Sequence, residues 1–231
     1  MGKYPPKVLE VDTCLDQFQY DLVRSDPEKV ALKYLKSRSV TSKQVLKYKI
    51  GYSRYEYSIP PFPKTIFFNR LIFPVRNEYG QLEAFTTRKP HDEETPGSRY
   101  SKVYLPDKNP IYGLYEALPD IYASGCAVLV EGNLDVTAVE PYFPAVIASS
   151  TGRLTSKQMR LLQRFVKRLF VFPDLDETGE KMEAQVRKFY SRWFQVNFIK
   201  DSPVKDANAW RSQNPEEFAE YFKELWLFYG S

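Results

Sequence analysis

Between residues 126 and 200 the chain alternates short, almost unbroken apolar runs with longer stretches of helical spacing, and this rhythm limits the folds open to it. The runs are AVLVE (127–131), AVIAS (145–149), LFVFPD (169–174) and QVNFI (195–199). A strand that is apolar at every position has both faces buried, which is the condition of a parallel sheet sandwiched between helices. The intervening segments supply those helices. One starts near Leu134, one spans Thr155 to Arg168 and one spans Gly179 to Trp193. The Thr155–Arg168 helix turns Met159, Leu162, Phe165, Val166 and Leu169 inward and Lys157, Arg160, Arg164 and Lys167 outward. The expectation is an α/β domain with a mostly parallel sheet flanked by helices, binding its ligand outside the carboxyl ends of the strands.

The first half reads differently. MGKYPPKVLEVD looks like a loose lead-in, and the expected domains start only at residue 26. Asp26-Pro27-Glu28 opens a helical pattern with Val30, Ala31, Tyr34 and Leu35 on one face. A second short helix runs from Ser42 to Tyr48 and stops at Gly51, and the proline-rich Tyr57–Lys64 segment is a stiff connector. From Thr65 to Arg88 the period falls to two. TIFFN, LIFPVR and LEAFTTR are expected strands, with NEYGQ as the turn between the last two. Residues 89–99 are polar and read as a loop, SKVYLP as extended chain and IYGLYEAL as a helix start. The expected organisation is therefore a lead-in (1–25), a smaller basic α+β subdomain (26–122), the parallel-sheet domain (123–212) and a C-terminal helix (213–231). That last helix is capped by Asn214, with Pro215 at its first position. Its stripe of Phe218, Tyr221, Phe222, Leu225 and Tyr229 suits either the core or another protein.

Two cysteines, Cys14 and Cys126, and one histidine, His91, cannot assemble a zinc ribbon or a disulfide framework. A reducing cytosol is the default compartment. No apolar run is long enough to span a bilayer, and the N-terminus lacks the pattern of a signal peptide, so no membrane partner is expected. The net charge of +4 is mild, but its distribution is not. Lys33 to Arg54 holds seven Lys or Arg and no acid, and Arg153 to Arg168 holds six, again with no acid. Such fields suit a polyanion as well as a solvated face.

Acids follow the strands. Glu131 ends the first run in EGNLD, with Asp135 on the next helix. Asp174 and Asp176 end the third in FPDLDETG, and Asp206 follows the fourth in SPVKDANAW. Any one of them could be a helix cap, Asp176 above all. Three strand ends carrying acid together point to magnesium, which takes hard oxygen ligands from one or two carboxylates, phosphates and water. With no cysteine–histidine set, oxygen is the ligand type on offer.

EGNLD followed by DLDETG resembles the toprim signature, a glutamate–glycine pair after one strand and an Asp-x-Asp after a later one. Upstream, ALKYLKSRSVTSKQVLKYKIGYSR (31–54), RLIFPVRNEYGQLEAFTTR (70–88) and SKVYLPDKNPIYGLYEAL (101–118) are similar, in order and spacing, to the catalytic core of bacterial-type, DnaG-like DNA primases. The resemblance covers residue 31 to about 210, and a compact phage or plasmid version would fit its length. It implies a toprim domain beside a basic subdomain, with template DNA in the cleft between them. It assigns acid–base or metal contact to Glu131 and magnesium binding to Asp174 and Asp176, with Asp135 and Asp206 as supporting metal ligands. Manganese would substitute for magnesium. Arg76, Arg88, Lys102 and Lys205 become the nucleotide and template contacts. Asn133 and Asn208 depart from the family pattern. KDANA stands where a second aspartate is common, so one metal ligand is expected to be missing or weakened.

The activity implied is synthesis of RNA primers on single-stranded DNA from ribonucleoside triphosphates, in a bacterial cytoplasm or nucleoid, or in the host of a phage. The family's zinc-binding module and helicase-binding domain have no counterpart in the sequence, so a replicative helicase or a separate zinc module is an expected partner. Two other readings use the same residues. A toprim nuclease would cleave phosphodiesters without nucleoside triphosphates, and an accessory protein would bind nucleic acid without chemistry.

Overall fold

The computed structural model describes residues 7–25, 29–64, 69–90, 100–150, 154–200 and 202–230. The expected strand over 65–69 (all but its last residue), the helix start at 26–28 and the loop over 91–99 lie outside the described residues. The chain divides into two compact units, Met1–Pro110 and Ile111–Ser231.

In the first unit, β1 (Lys7–Val8), α1 (Cys14–Tyr20) and a π-helical turn (Asp21–Ser25) precede α2 (Val30–Ser37) and α3 (Ser42–Lys47). Then come β2 (Gly51–Ser53), β3 (Tyr57–Ser58), β4 (Arg70–Arg76), β5 (Leu82–Arg88) and β6 (Tyr100–Tyr104). Strands β2, β4, β5 and β6 form an antiparallel sheet in that order. Alternation puts Ile72, Phe85 and Val103 on one face, where they meet Cys14, Phe18, Tyr57, Ile59 and Phe62. The segment expected to be a loose lead-in therefore covers the sheet. Cys14, Phe18 and Leu22 recur every fourth residue and are all buried, so α1 is held by its apolar face. Phe18 packs edge-on against Tyr57 and Phe85, with ring centroids 5.4 and 5.9 Å apart.

Two more expectations need correction here. Gly51 does not end a helix; it opens β2 and lies so close to α1 that a Cβ there would stand 2.4 Å from that of Phe18. The 57–64 connector also carries β3, which pairs in parallel with β1 (Lys7↔Tyr57). Helix α3 starts as a capping box, Thr41 accepting from the Gln44 amide while Gln44 reaches back to Thr41.

The second unit contains α4 (Leu114–Ser124), β7 (Cys126–Val130), α5 (Asn133–Val139), β8 (Val146–Ala148), α6 (Ser156–Leu162), β9 (Arg168–Val171), α7 (Glu177–Gln185), β10 (Gln195–Phe198), α8 (Ala207–Gln213) and α9 (Pro215–Tyr229). The four strands form the expected parallel sheet, in the order β10-β9-β7-β8. Helix α4 ends at Gly125, whose φ of +70° is the left-handed conformation that lets the chain drop into β7. Helix α6 is shorter than expected. It closes at Leu162, because Arg168 must already be extended to pair with Cys126 and Gln195. The helix expected over Gly179–Trp193 starts earlier, at Glu177, and finishes as a π-helical turn over Val186–Tyr190.

The aromatic stripe of α9 faces the core. Phe218 and Phe222 are fully buried, Phe222 stacks on Phe172 at 6.0 Å, and Trp226 meets Phe143 edge-on at 4.8 Å. Among the described residues no helix is long and apolar enough to cross a membrane.

Candidate active site

The strand order of the second unit reverses at β7. From there the chain moves to β8 on one side, then returns to β9 on the other. In an open parallel sheet, the carboxyl ends of the strands flanking such a reversal form the natural ligand crevice. Glu131 directly follows β7, and Asp174 follows β9 after Phe172 and Pro173. The backbone amide of Asp174 donates to Glu131 Oε1 at 3.2 Å, joining the two strand ends.

The turn carrying Asp174 and Asp176 is tightly closed. The Asp176 amide donates to the Asp174 carbonyl at 2.9 Å, and the Leu175 amide to the Lys205 carbonyl at 2.7 Å. Gly179 is required here, since a Cβ would lie 1.9 Å from the Asp174 carbonyl oxygen. Asp176 is the N-cap of α7, its Oδ1 accepting from the Thr178 and Gly179 amides at 3.0 and 3.2 Å. Its Oδ2 pairs with the exposed Lys205 ammonium at 3.2 Å. The capping role that the sequence left open for Asp176 is thus realised. Asp206 caps α8 in the same way, accepting from the Ala209 amide at 2.7 Å.

Asp135, in the first turn of α5, is buried and accepts from the Asn208 amide at 3.0 Å. Gly132 leaves it room, because a Cβ at that position would come within 2.6 Å of Asp135 Oδ2. Asn208, which in the sequence stands where a second aspartate is common, is buried in the first turn of α8. Asn133 accepts from the Ser150 hydroxyl at 2.8 Å. Arg211, which no sequence pattern marked, donates to the Thr137 carbonyl at 3.0 Å and ties α8 to the end of α5.

These acids feel one another. Burial first, then the charges of Asp135, Glu131, Asp206 and Asp176, push the Asp174 carboxyl up to about 8. Burial and Asp206 raise Asp135 to about 7, against the pull of the Asn208 and Gly132 amides. Burial also raises Glu131, partly offset by its hydrogen bond from Asp174. Slight burial acts upward on Asp176, but the Gly179 and Thr178 amides and Lys205 outweigh it and hold that carboxyl below the usual range. Lys205 is raised in return by its bond to Asp176.

Among the described residues no group of three carboxylate, imidazole or thiolate side chains is arranged to hold a metal ion. The donor set nevertheless suits magnesium. It is entirely oxygen, its like charges cost free energy when ionised together, and magnesium needs only one or two carboxylates beside water and phosphate.

The basic candidates in the first unit lie on its antiparallel sheet. Arg76 ends β4 and donates to the Lys47 carbonyl at 3.1 Å. Arg88 ends β5, nearly buried, with its guanidinium 5.0 Å from the Tyr34 ring and 4.9 Å from that of Tyr100, whose hydroxyl it also contacts. Lys102 is paired with Thr86 in register, and burial lowers its ammonium. Arg88 and Lys102 therefore share one sheet face. Arg70, not singled out from the sequence, is buried at the start of β4 and donates to Thr87 Oγ1 at 3.3 Å. Its position before an alternating strand was the available signal.

Residues 128–210 match a toprim-like domain family. The chain is similar to the DNA primase of Aquifex aeolicus, 25% identical over 198 residues, which cover 74% of this chain and 39% of that protein. It is 33% identical over 168 residues to the DNA primase of Haemophilus influenzae, covering 68% of this chain and 28% of that protein. The chain thus spans well under half the length of these relatives. Among solved structures, a DnaG primase catalytic domain bound to single-stranded DNA superposes with a TM-score of 0.73 at 21% identity, over 93% of this chain and 77% of that one. The chain has the toprim-like domain and the fold of a DnaG-type primase catalytic core.

Proposed function

We propose that this chain is the catalytic core of a DNA primase, joining ribonucleotides on a single-stranded DNA template. The observation that carries the reading is the mutual crowding of Glu131, Asp135, Asp174, Asp176 and Asp206 at the carboxyl edge of the parallel sheet. Buried, crowded carboxyls held above their usual range gain from a cation that lets them ionise, and such a site suits cations with phosphates attached.

In this reading the 3′-hydroxyl of a nucleotide attacks the α-phosphorus of an incoming triphosphate, the new phosphodiester forms and pyrophosphate leaves. Glu131, raised by burial and steadied by the Asp174 amide, accepts the hydroxyl proton. Magnesium, or manganese in its place, would be held by Glu131, Asp174 and Asp176 with Asp135 and Asp206 in support, and supplies charge neutralisation and polarisation of the phosphate. Lys205 stands beside Asp176 as a phosphate contact on the same edge. Arg76, Arg88 and Lys102 hold triphosphate and template through backbone charge. Catalysis rests on positioning and electrostatics. A replicative helicase or a zinc-binding module would supply site choice, in a bacterial cytoplasm or nucleoid or in the host of a phage.

The test is primer synthesis with single-stranded DNA, magnesium and labelled ribonucleotides, beside Asp174→Ala. Short labelled RNA from the parent alone supports the reading. Binding without synthesis from either would move the protein to an accessory role, and shortened template would make it a nuclease.

A further inference from the structure

A second charged surface lies at the β10 edge of the parallel-sheet unit. Residues 186–200, VRKFYSRWFQVNFIK, contain four Lys or Arg, five aromatic residues and no acid. The segment forms the π-helical turn after α7 and then β10, which is the edge of its sheet. Arg187, Lys188, Phe189, Arg192 and Lys200 are exposed, while Trp193 and Phe198 are half-buried. Phe189 presents 48% of its surface to solvent.

Rings and cations alternate in space as well as in sequence. Lys188 stands 5.2 Å from the Phe189 ring, Arg192 stands 5.8 Å from that of Trp193 and Arg187 stands 3.9 Å from that of Phe198. Phe189 and Trp193 each meet the buried ring of Tyr190, with centroids 6.3 and 5.4 Å apart. Glu183 is the one acid paired here among the described residues, and it is shared by Arg187 and Lys200 at 2.8 Å each. No ion pair is formed by Lys188 or Arg192 among the described residues. Charge alone can serve to guard a bare sheet edge against another strand. That task needs no exposed ring, and here Lys188 flanks Phe189, which is open to solvent.

We propose that this edge is a binding track for single-stranded DNA, separate from the carboxylate site. Lys188, Arg187 and Arg192 contact phosphates, while bases stack on Phe189 and Trp193. Cations beside one exposed and one half-buried ring match a flexible strand, whose bases splay out for stacking while its backbone follows the charge. The chain leads from Lys200 toward Lys205, the residue that pairs with Asp176. The track can therefore steady a template strand beyond the reach of the catalytic edge.

The test is fluorescence anisotropy with labelled oligothymidylate, in EDTA and without nucleotides, over a range of salt concentrations. The proteins are the parent, Lys188→Glu/Arg192→Glu and Phe189→Ala, each checked by circular dichroism for an unchanged fold. Removing two phosphate contacts is expected to make the salt dependence of log affinity shallower by about 1.4. Phe189→Ala is expected to weaken binding about tenfold through lost stacking. Full affinity and an unchanged salt slope in the charge-reversed protein would overturn the proposal. Binding is read without synthesis, so a chain that makes no primers can still hold DNA here, and an active chain with a neutral edge would sink this inference alone.

Discussion

The Asp174 backbone amide donates to the Glu131 carboxylate across 3.2 Å, so the end of β9 is registered on the end of β7 by the same group proposed to take a proton. Glu131→Gln keeps an acceptor at that position and removes the charge. Primer synthesis is expected to fall about 100-fold or more while the melting temperature holds or rises, because a repulsive charge has gone. Glu131→Ala loses the hydrogen bond as well and should melt lower. Primer assays paired with thermal melts separate the two.

The crowded acids set a direction for pH. Free aspartate titrates near 4, whereas Asp135 and Asp174 are raised to about 7 and about 8. Between those limits the folded protein holds more protons than the unfolded chain, so stability falls as pH rises through about 4 to 8. Thermal melts in EDTA should show this decline. Magnesium should flatten it, since a bound cation favours the ionised carboxylates, and proton release on magnesium addition at pH 7 should be measurable. A flat profile in EDTA would count against the burial and crowding of these carboxyls.

Asp176 has two tasks that a substitution can divide. Asp176→Ala removes a helix cap worth about 1 kcal/mol and also the partner of Lys205. Asp176→Ser keeps a capping oxygen and should restore most of that stability without restoring synthesis. Equal activity in Asp176→Ser and the parent would reduce Asp176 to a cap. Denaturant titration beside the primer assay distinguishes the cases.

Arg88 and Lys102 share a sheet face and should respond differently. Arg88 is sandwiched near Tyr34 and Tyr100, so Arg88→Ala is expected to cost about 1–2 kcal/mol through lost cation–ring contact and packing. Lys102 is disfavoured as a cation by burial, and Lys102→Met should leave stability equal or higher. Both are expected to weaken nucleotide binding, as titration calorimetry would read.

The sheet that carries the acids was legible because parallel strands buried on both faces write themselves as unbroken apolar runs. Glu131 and Asp174 could be placed at its ends from those runs alone. Other features depended on the tertiary structure. Helical periodicity continued past Leu162, but pairing with β7 and β10 claimed Arg168 for a strand. The helix that Asp206 caps went unread because α8 is only seven residues long and follows without an apolar signal. The burial of Asn208 and the grip of Arg211 on the end of α5 depend on where α8 docks, which no local pattern encodes. Helix α1 did leave a trace in Cys14, Phe18 and Leu22, apolar residues at every fourth position.

That helix has a consequence for synthesis on the ribosome. Its partners in the core include Phe85 and Val103, and β1 pairs with Tyr57 some fifty residues later. As the nascent chain emerges, Phe18 has no completed surface to bury against until β5 and β6 have left the exit tunnel. The first unit cannot close gradually from its N-terminus; it waits for its last strand, then folds around the segment that was made first.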